Sequence, residues 1–174
     1  ILSPVLGAIA DYYSIKKRYL LFFAGIGILF SAFLYFVKTG DWLKASIFFI
    51  IGNVGYAGSE IFYNSLLPAI AKSDEIDQVS TRGFAFGYIG GGLLLGINVG
   101  MIQLMSSKIL AIRLSFISVA IWWAIFTIPL IRNIIEPRRS ISYIIKNPLS
   151  AGFKRLFDTF RQIRKYRNLF IFLL

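Results

Sequence analysis

The chain has 174 residues, a formal net charge of +11, 57% hydrophobic and only 16% charged side chains. Soluble domains carry about 25% charged residues, so an ordinary soluble domain is excluded. There is no Cys and no His, which excludes a disulfide framework, a Cys/His zinc site and any catalytic triad built on either residue.

The charges are missing in blocks. Residues 19–37, 83–107 and 114–131 carry none, and 45–71 carry only Glu60. A spanning helix needs roughly 17–25 mostly apolar residues, because the hydrocarbon core is about 30 Å thick and a helix rises about 1.5 Å per residue. Each block meets that length. Membrane β-strands alternate apolar and polar residues over about ten positions, whereas these blocks are apolar on most faces. The fold class read here is an all-α membrane protein, each helix satisfying its own backbone hydrogen bonds.

In chain order, the end of one helix covers 1–11 and a tight basic loop follows at 12–18. Helix 19–37, loop 38–44, helix 45–71, loop 72–82, helix 83–105, a turn near 106–112 and helix 113–132 come next. Residues 1–132 are thus the transmembrane part, 133–167 a linker, and 168–174 the start of another transmembrane helix. Within the linker, Phe153, Leu156, Phe157, Phe160 and Ile163 recur at helical spacing among Lys154, Arg155, Arg161, Arg164 and Lys165. That pattern predicts a basic amphipathic helix lying on the membrane interface. Only ten uncharged residues precede Asp11, and NLFIFLL opens an apolar run at the other end. The sequence is therefore read as cut at both ends.

If 12–18 is cytoplasmic, only Lys38, Lys44, Lys108 and Arg113 of the 19 basic residues fall in outside loops. The positive-inside rule accounts for this bias and places 133–167 in the cytoplasm. Topogenesis, rather than nucleic-acid binding, explains the net charge.

Gly7-Ala-Ile-Ala-Asp11 followed by Lys16-Lys17-Arg18 resembles the loop between the second and third helices of the major facilitator superfamily. The copy departs from that pattern at Tyr12, Ser14 and Ile15, where a basic residue, Gly and Arg are usual. Three longer segments, GNVGYAGSEIFYNSLLPAIA (52–71), VSTRGFAFGYIGGGLLLGIN (79–98) and RLSFISVAIWWAIFTIPL (113–130), are similar to the superfamily's vacuolar amino-acid effluxer-like branch, related to autophagy effluxers.

The resemblance implies a major-facilitator-type bundle. Residues 1–11 would end helix two, the complete spans would be helices three to six, and 168–174 would open helix seven. It further implies a secondary transporter, not an enzyme, that effluxes a small solute such as an amino acid and needs no cofactor. The expected location is the cell (inner) membrane of a bacterium or the vacuolar membrane of a fungus. The expected partners are membrane lipid, the solute and the remaining helices of the same full-length protein. Gly7, Asp11, Lys16, Lys17 and Arg18, joined by Arg82, form the candidate cytoplasmic gating motif. A non-transporting scaffold or receptor subunit is the competing function.

Glu60 is the only carboxylate inside a span. It lies roughly 3 Å along the axis from the middle of 45–71, where a charge costs about 2.5–3.5 kcal/mol on insertion scales. At about 100° per residue, Ser46, Asn53, Glu60 and Asn64 fall within an arc of about 40°, flanked by Tyr56 and Tyr63. Transporter sites lie near the bilayer midplane. Asn53, Tyr56, Glu60, Tyr63 and Asn64 are therefore candidates to line the cavity, with Glu60 the candidate for proton coupling. A Glu hydrogen-bonded to another helix is the plainer reading. Asn98 is either cavity-lining or bonded to a neighbouring helix. Gly83, Gly87 and Gly91 form one row and Gly92, Gly96 and Gly100 another; small residues four apart allow close helix packing in lipid. Trp122 and Trp123 sit mid-helix, where packing on lipid or protein is the plain reading and a cavity role the alternative. Arg82 is expected either to pair with Asp74, Glu75, Asp77 or Asp11, or to stay solvated.

Overall fold

The computed structural model describes residues 16–72 and 74–134. Gly7, Asp11, the 133–167 linker from residue 135 onward and the 168–174 span lie outside the described residues. Among the described residues there are four long helices: α1 (Lys16–Phe33), continued by a 3-10 turn (Leu34–Phe36); α2 (Trp42–Ser65); α4 (Ile76–Leu104); and α5 (Lys108–Asn133). A four-residue helix, α3 (Leu67–Ile70), links α2 to α4. All four long elements are long and apolar enough to cross a membrane. Among the described residues there is no strand.

The helix ends depart from the expected ones for local reasons. The expected helix 45–71 stops at Ser65, because Pro68 in the first turn of α3 has no N–H to donate back to the preceding turn and its ring crowds the carbonyl there. Helix α4 starts at Ile76, seven residues before the charge-free block. Its polar first turns carry Asp77 and a Thr81 hydroxyl that donates to the Asp77 carbonyl at 2.7 Å. Twenty-nine residues span about 43 Å at 1.5 Å each, so these turns extend beyond a core of about 30 Å. The Ser107 hydroxyl accepts from the Leu110 amide at 3.3 Å and so opens α5. Between α1 and α2 the chain reverses at Gly40, whose φ of 95° suits a residue without Cβ. Beside it the Asp41 carboxylate accepts from the Lys44 ammonium at 3.0 Å and the Lys38 amide at 3.3 Å. The Lys44 bond, then the Lys38 bond, hold that carboxyl below its ordinary value.

Helix α1 is the centre of the described bundle. It packs on α2 along one side and on α5 along another, and α4 joins through α5. The buried cluster lies at the Lys16 end: Leu20, Phe62, Leu66 and Ile134, with Tyr19, Phe23, Leu130 and Ile131 against it. The fully buried Phe62 ring stacks on Tyr19 at 5.2 Å and on Phe23 at 5.7 Å. At the opposite end Phe30, Phe33 and Phe48 form a triangle of rings 5.5–5.8 Å apart. Elsewhere the surface is apolar: Phe86, Tyr88 and Leu104 of α4 are 74–88% exposed. Water would penalise such a surface, whereas lipid and further helices would cover it.

Basic side chains tie the helix ends. Lys16 Nζ donates to the Ser65 carbonyl at 3.0 Å and Lys17 Nζ to that of Ile134 at 2.6 Å. At the other membrane face Arg113 donates to the Val37 carbonyl at 2.9 Å, and Lys108 to those of Ile102 and Gln103 at 2.8 Å each. Each long helix thus has its carbonyl end met by a cation from another helix. That end carries unpaired acceptors and partial negative charge, and a cation there is worth about 0.3–1 kcal/mol.

Candidate functional site

Two opposite faces of α2 do different things. Gly55, Gly58, Ser59 and Phe62 are buried and form the face that meets α1. Ser46, Asn53, Glu60 and Asn64 lie roughly 170° away around the helix at about 100° per residue. Ser46, Asn53 and Asn64 are exposed and Glu60 is half-buried. The Asn53 amide donates to its own helix at the Phe49 carbonyl, 2.9 Å, and the Ser46 hydroxyl to the Trp42 carbonyl, 2.9 Å. Neither bond uses the amide or hydroxyl acceptor, so both side chains keep polar capacity on this face. Among the described residues the Glu60 carboxylate makes no ion pair.

Tyr56 and Tyr63 stand between the two faces. Tyr56 is 55% and Tyr63 39% exposed. The Tyr56 ring meets Trp123 of α5 edge-on at 6.1 Å and 69°. Tyr63 reaches the start of α4, its hydroxyl lying 3.4 Å from where a Cβ on Gly83 would be.

Asn98 is turned toward α5. It is buried, and its Oδ1 accepts from the Ser118 hydroxyl at 2.7 Å, so it serves as a helix–helix bond in this part of the bundle. Among the described residues a Cβ on Gly87, Gly91, Gly92, Gly96 or Gly100 would meet nothing within 4 Å. Their partners, if helices, come from beyond these residues. Of the basic motif, Lys16 and Lys17 hold the carbonyl ends of α2 and α5, while Arg18 is exposed. Arg82 is also exposed and makes no ion pair with Asp74, Glu75 or Asp77. Pairing with Asp11 lies outside the described residues. Among the described residues no acidic cluster could hold a metal ion.

A junction that sequence reasoning did not find joins three helices at Gly27. A Cβ on Gly27 would collide with the six-membered ring of Trp123. A Cβ on Gly55 would lie 2.8 Å from the Gly27 Cα and from the Phe23 carbonyl oxygen. One on Gly58 would strike the Phe23 ring. The available signal was the small-residue face Gly55, Gly58, Ser59, spaced three and four apart. The neighbouring Trp122 goes elsewhere: its indole is 3.8 Å from a Cβ position on Gly90 and packs on Phe126 at 4.9 Å.

A family model described as vacuole effluxer Atg22-like matches residues 1–78 and 71–174. The chain is 36% identical over 181 residues to the uncharacterized MFS-type transporter YxiO of Bacillus subtilis, covering 99% of this chain and 41% of the relative. It is 22% identical over 178 residues to autophagy-related protein 22 of Kluyveromyces lactis, covering 91% and 36%. The Coccidioides immitis protein of the same name is 24% identical over 179 residues, covering 71% and 29%. The chain therefore spans about two fifths or less of these relatives' length. No solved structure matches it.

Proposed function

The chain belongs to the vacuole effluxer Atg22-like family of the major facilitator superfamily, and on that premise we propose that it is the helix-three-to-six part of a secondary active transporter. It is a multi-pass integral membrane protein. The proposed activity is efflux of a small solute such as an amino acid by alternating access. The observation that carries the reading is the polar face of α2, which points away from the α1 contact and on which Glu60 makes no ion pair among the described residues. A carboxylate near the midplane persists only where a partner, water or a solute offsets its desolvation. Asn53, Tyr56, Tyr63 and Asn64 on the same side supply the donors, acceptors and rings with which a solute would be held.

The glycine rows of α4 fit this reading. Gly87, Gly91, Gly92, Gly96 and Gly100, unfilled within the described bundle, offer close-approach surfaces to the remaining helices of the full-length protein, and such surfaces are where bundles rock. The basic residues at 16–18 and 133–167 lie on the cytoplasmic side in this reading.

The test is solute flux in vesicles containing the full-length protein, amino acids first, with Glu60→Gln as the variant. That change keeps the shape and removes the titratable proton. If Glu60 carries a proton, pH-driven net transport is abolished while solute exchange continues. If it only binds a cationic group, both activities weaken together. Wild-type flux at every pH from well-expressed Glu60→Gln would refute both roles. A correctly assembled wild-type protein with no solute flux would favour a non-transporting scaffold or receptor subunit.

A further inference from the structure

We propose that Trp123, seated on Gly27, is a positioning residue for the polar face of α2: it holds the Tyr56 ring beside Glu60, so that an aromatic edge and a carboxylate face the same solute. The inference rests on the transport reading above. Gly27 is buried, and the room its missing side chain leaves is filled by the Trp123 indole. Gly55 lets α2 close on the same point, backbone against backbone. Tyr56 follows Gly55 in the chain, so the contact that joins α1 to α2 also sets where the Tyr56 ring begins.

The indole then meets that ring edge-on at 6.1 Å, an arrangement that ring quadrupoles favour. Trp123 covers Tyr56 incompletely, because 55% of the residue stays exposed. Tyr56 and Glu60 are four residues apart, about 40° around the helix and one turn along it, the spacing at which side chains are neighbours. Of the two consecutive indoles only Trp123 has a ring contact with α2; Trp122 faces α4 and Phe126. Substituting a smaller ring at 123 shortens the reach to Tyr56 without adding bulk over Gly27.

The test uses the full-length protein in liposomes, with Trp123 as its sole tryptophan after the others are changed to Phe. Acrylamide added to the aqueous phase is expected to quench Trp123 emission, and lipids brominated along the acyl chain to quench it weakly. Tyr56→Ala removes one ring from the indole and should raise the acrylamide quenching constant about twofold. Gly27→Ala should unseat the indole and shift its emission; should that variant misfold, Tyr56→Ala, at an exposed ring, decides alone. With radiolabelled leucine as probe, Tyr56→Ala and Trp123→Ala should raise KM about fivefold with little change in maximal rate, and Trp123→Phe should restore part of the loss.

Quenching by brominated lipid that exceeds quenching by acrylamide, and that Tyr56→Ala leaves unchanged, would place the pair against lipid and overturn the proposal even if flux is found. A lower maximal rate at unchanged KM would also overturn it, since that marks a structural role. Absence of leucine flux in the wild type counts against the transport reading, and the quenching result then decides the positioning claim by itself.

Discussion

At Gly27 and Gly55 helices α1 and α2 close backbone to backbone, whereas the described contacts between α4 and α5 run through side chains. In the first pair Gly55 rests on the Gly27 backbone and Gly58 on the Phe23 ring, with no room for a Cβ at either. In the second, the described contacts include a hydroxyl-to-amide bond between Ser118 and Asn98 and an indole at ordinary van der Waals distance from Gly90. Both pairs are glycine-bearing, so composition alone does not distinguish them. The difference lies in whether the space a glycine opens is already filled. Lipid is as apolar as a Leu side chain and supplies no hydrophobic drive for helices to associate, so close packing and hydrogen bonds must hold them. The α1–α2 contact relies on the first means at its glycines, with the Lys16–Ser65 bond at one end, while α4–α5 adds the Ser118–Asn98 bond to its packing.

The largest expected effect comes from filling the closed contact. Gly55→Ala sets a methyl group against backbone that cannot turn aside, and should cost about 1–3 kcal/mol or more. Gly55→Leu should abolish folded yield. Gly91→Leu and Gly96→Leu should be milder, yet lower the thermal unfolding temperature of the full-length protein more than Leu94→Ala does. Unchanged stability in both α4 variants would mean that those glycines face lipid rather than further helices, and the contrast between the two pairs would become permanent rather than a matter of missing partners.

A double-mutant cycle on Asn98→Ala and Ser118→Ala sharpens the second contact. Hydrogen bonds between membrane helices average about 0.6 kcal/mol and reach about 1.7. Coupling in that range is the expected outcome of unfolding measurements on the two single variants and the double. Coupling near zero would leave the Lys108 bonds to the end of α4 and the Trp122 contact as the described ties between α4 and α5.

The smallest effect belongs to Asp41, in the turn outside both contacts. Its folded carboxyl is held below the ordinary value by the Lys44 and Lys38 bonds. Any stabilisation from it is therefore fully present above the unfolded carboxyl's pKa, about 3.9, and lost as pH falls through the lower folded one. Asp41→Asn should leave unfolding at neutral pH almost unchanged and flatten the acid side of the stability profile. A large loss at pH 7 would show that the turn bears on the α1–α2 contact after all.

The four spans were legible because lipid permits no compromise: long charge-free runs have few other uses. The cut at Ser65 was less so, since Pro68 lies inside an apolar run and only its missing N–H betrays the break. The polar face of α2 was legible from residue angles, and Ser46, Asn53, Glu60 and Asn64 do lie opposite the buried face. Which glycines touch a neighbour was not. The regular spacing of four in α4 draws the eye, while Gly27 becomes important only through the rotation of α5 that sets Trp123 over it. Rotation about a helix axis depends on the partner's shape, which no single segment contains. Asn98 illustrates the same limit: its position admitted a cavity or a neighbour equally, and the bond to Ser118 is visible only once α4 and α5 are packed together.

The cations that meet the helix ends carry a consequence for how such a protein can change over time. Lys16, Lys17, Lys108 and Arg113 all donate to main-chain carbonyls. Every residue type has that acceptor, so Ser65, Ile134, Ile102, Gln103 and Val37 can drift through substitutions without breaking a bond, while the donor has few substitutes. Statistical searches for residue pairs that vary together would therefore pass over these ties, because only one member of each pair leaves a trace in the alphabet.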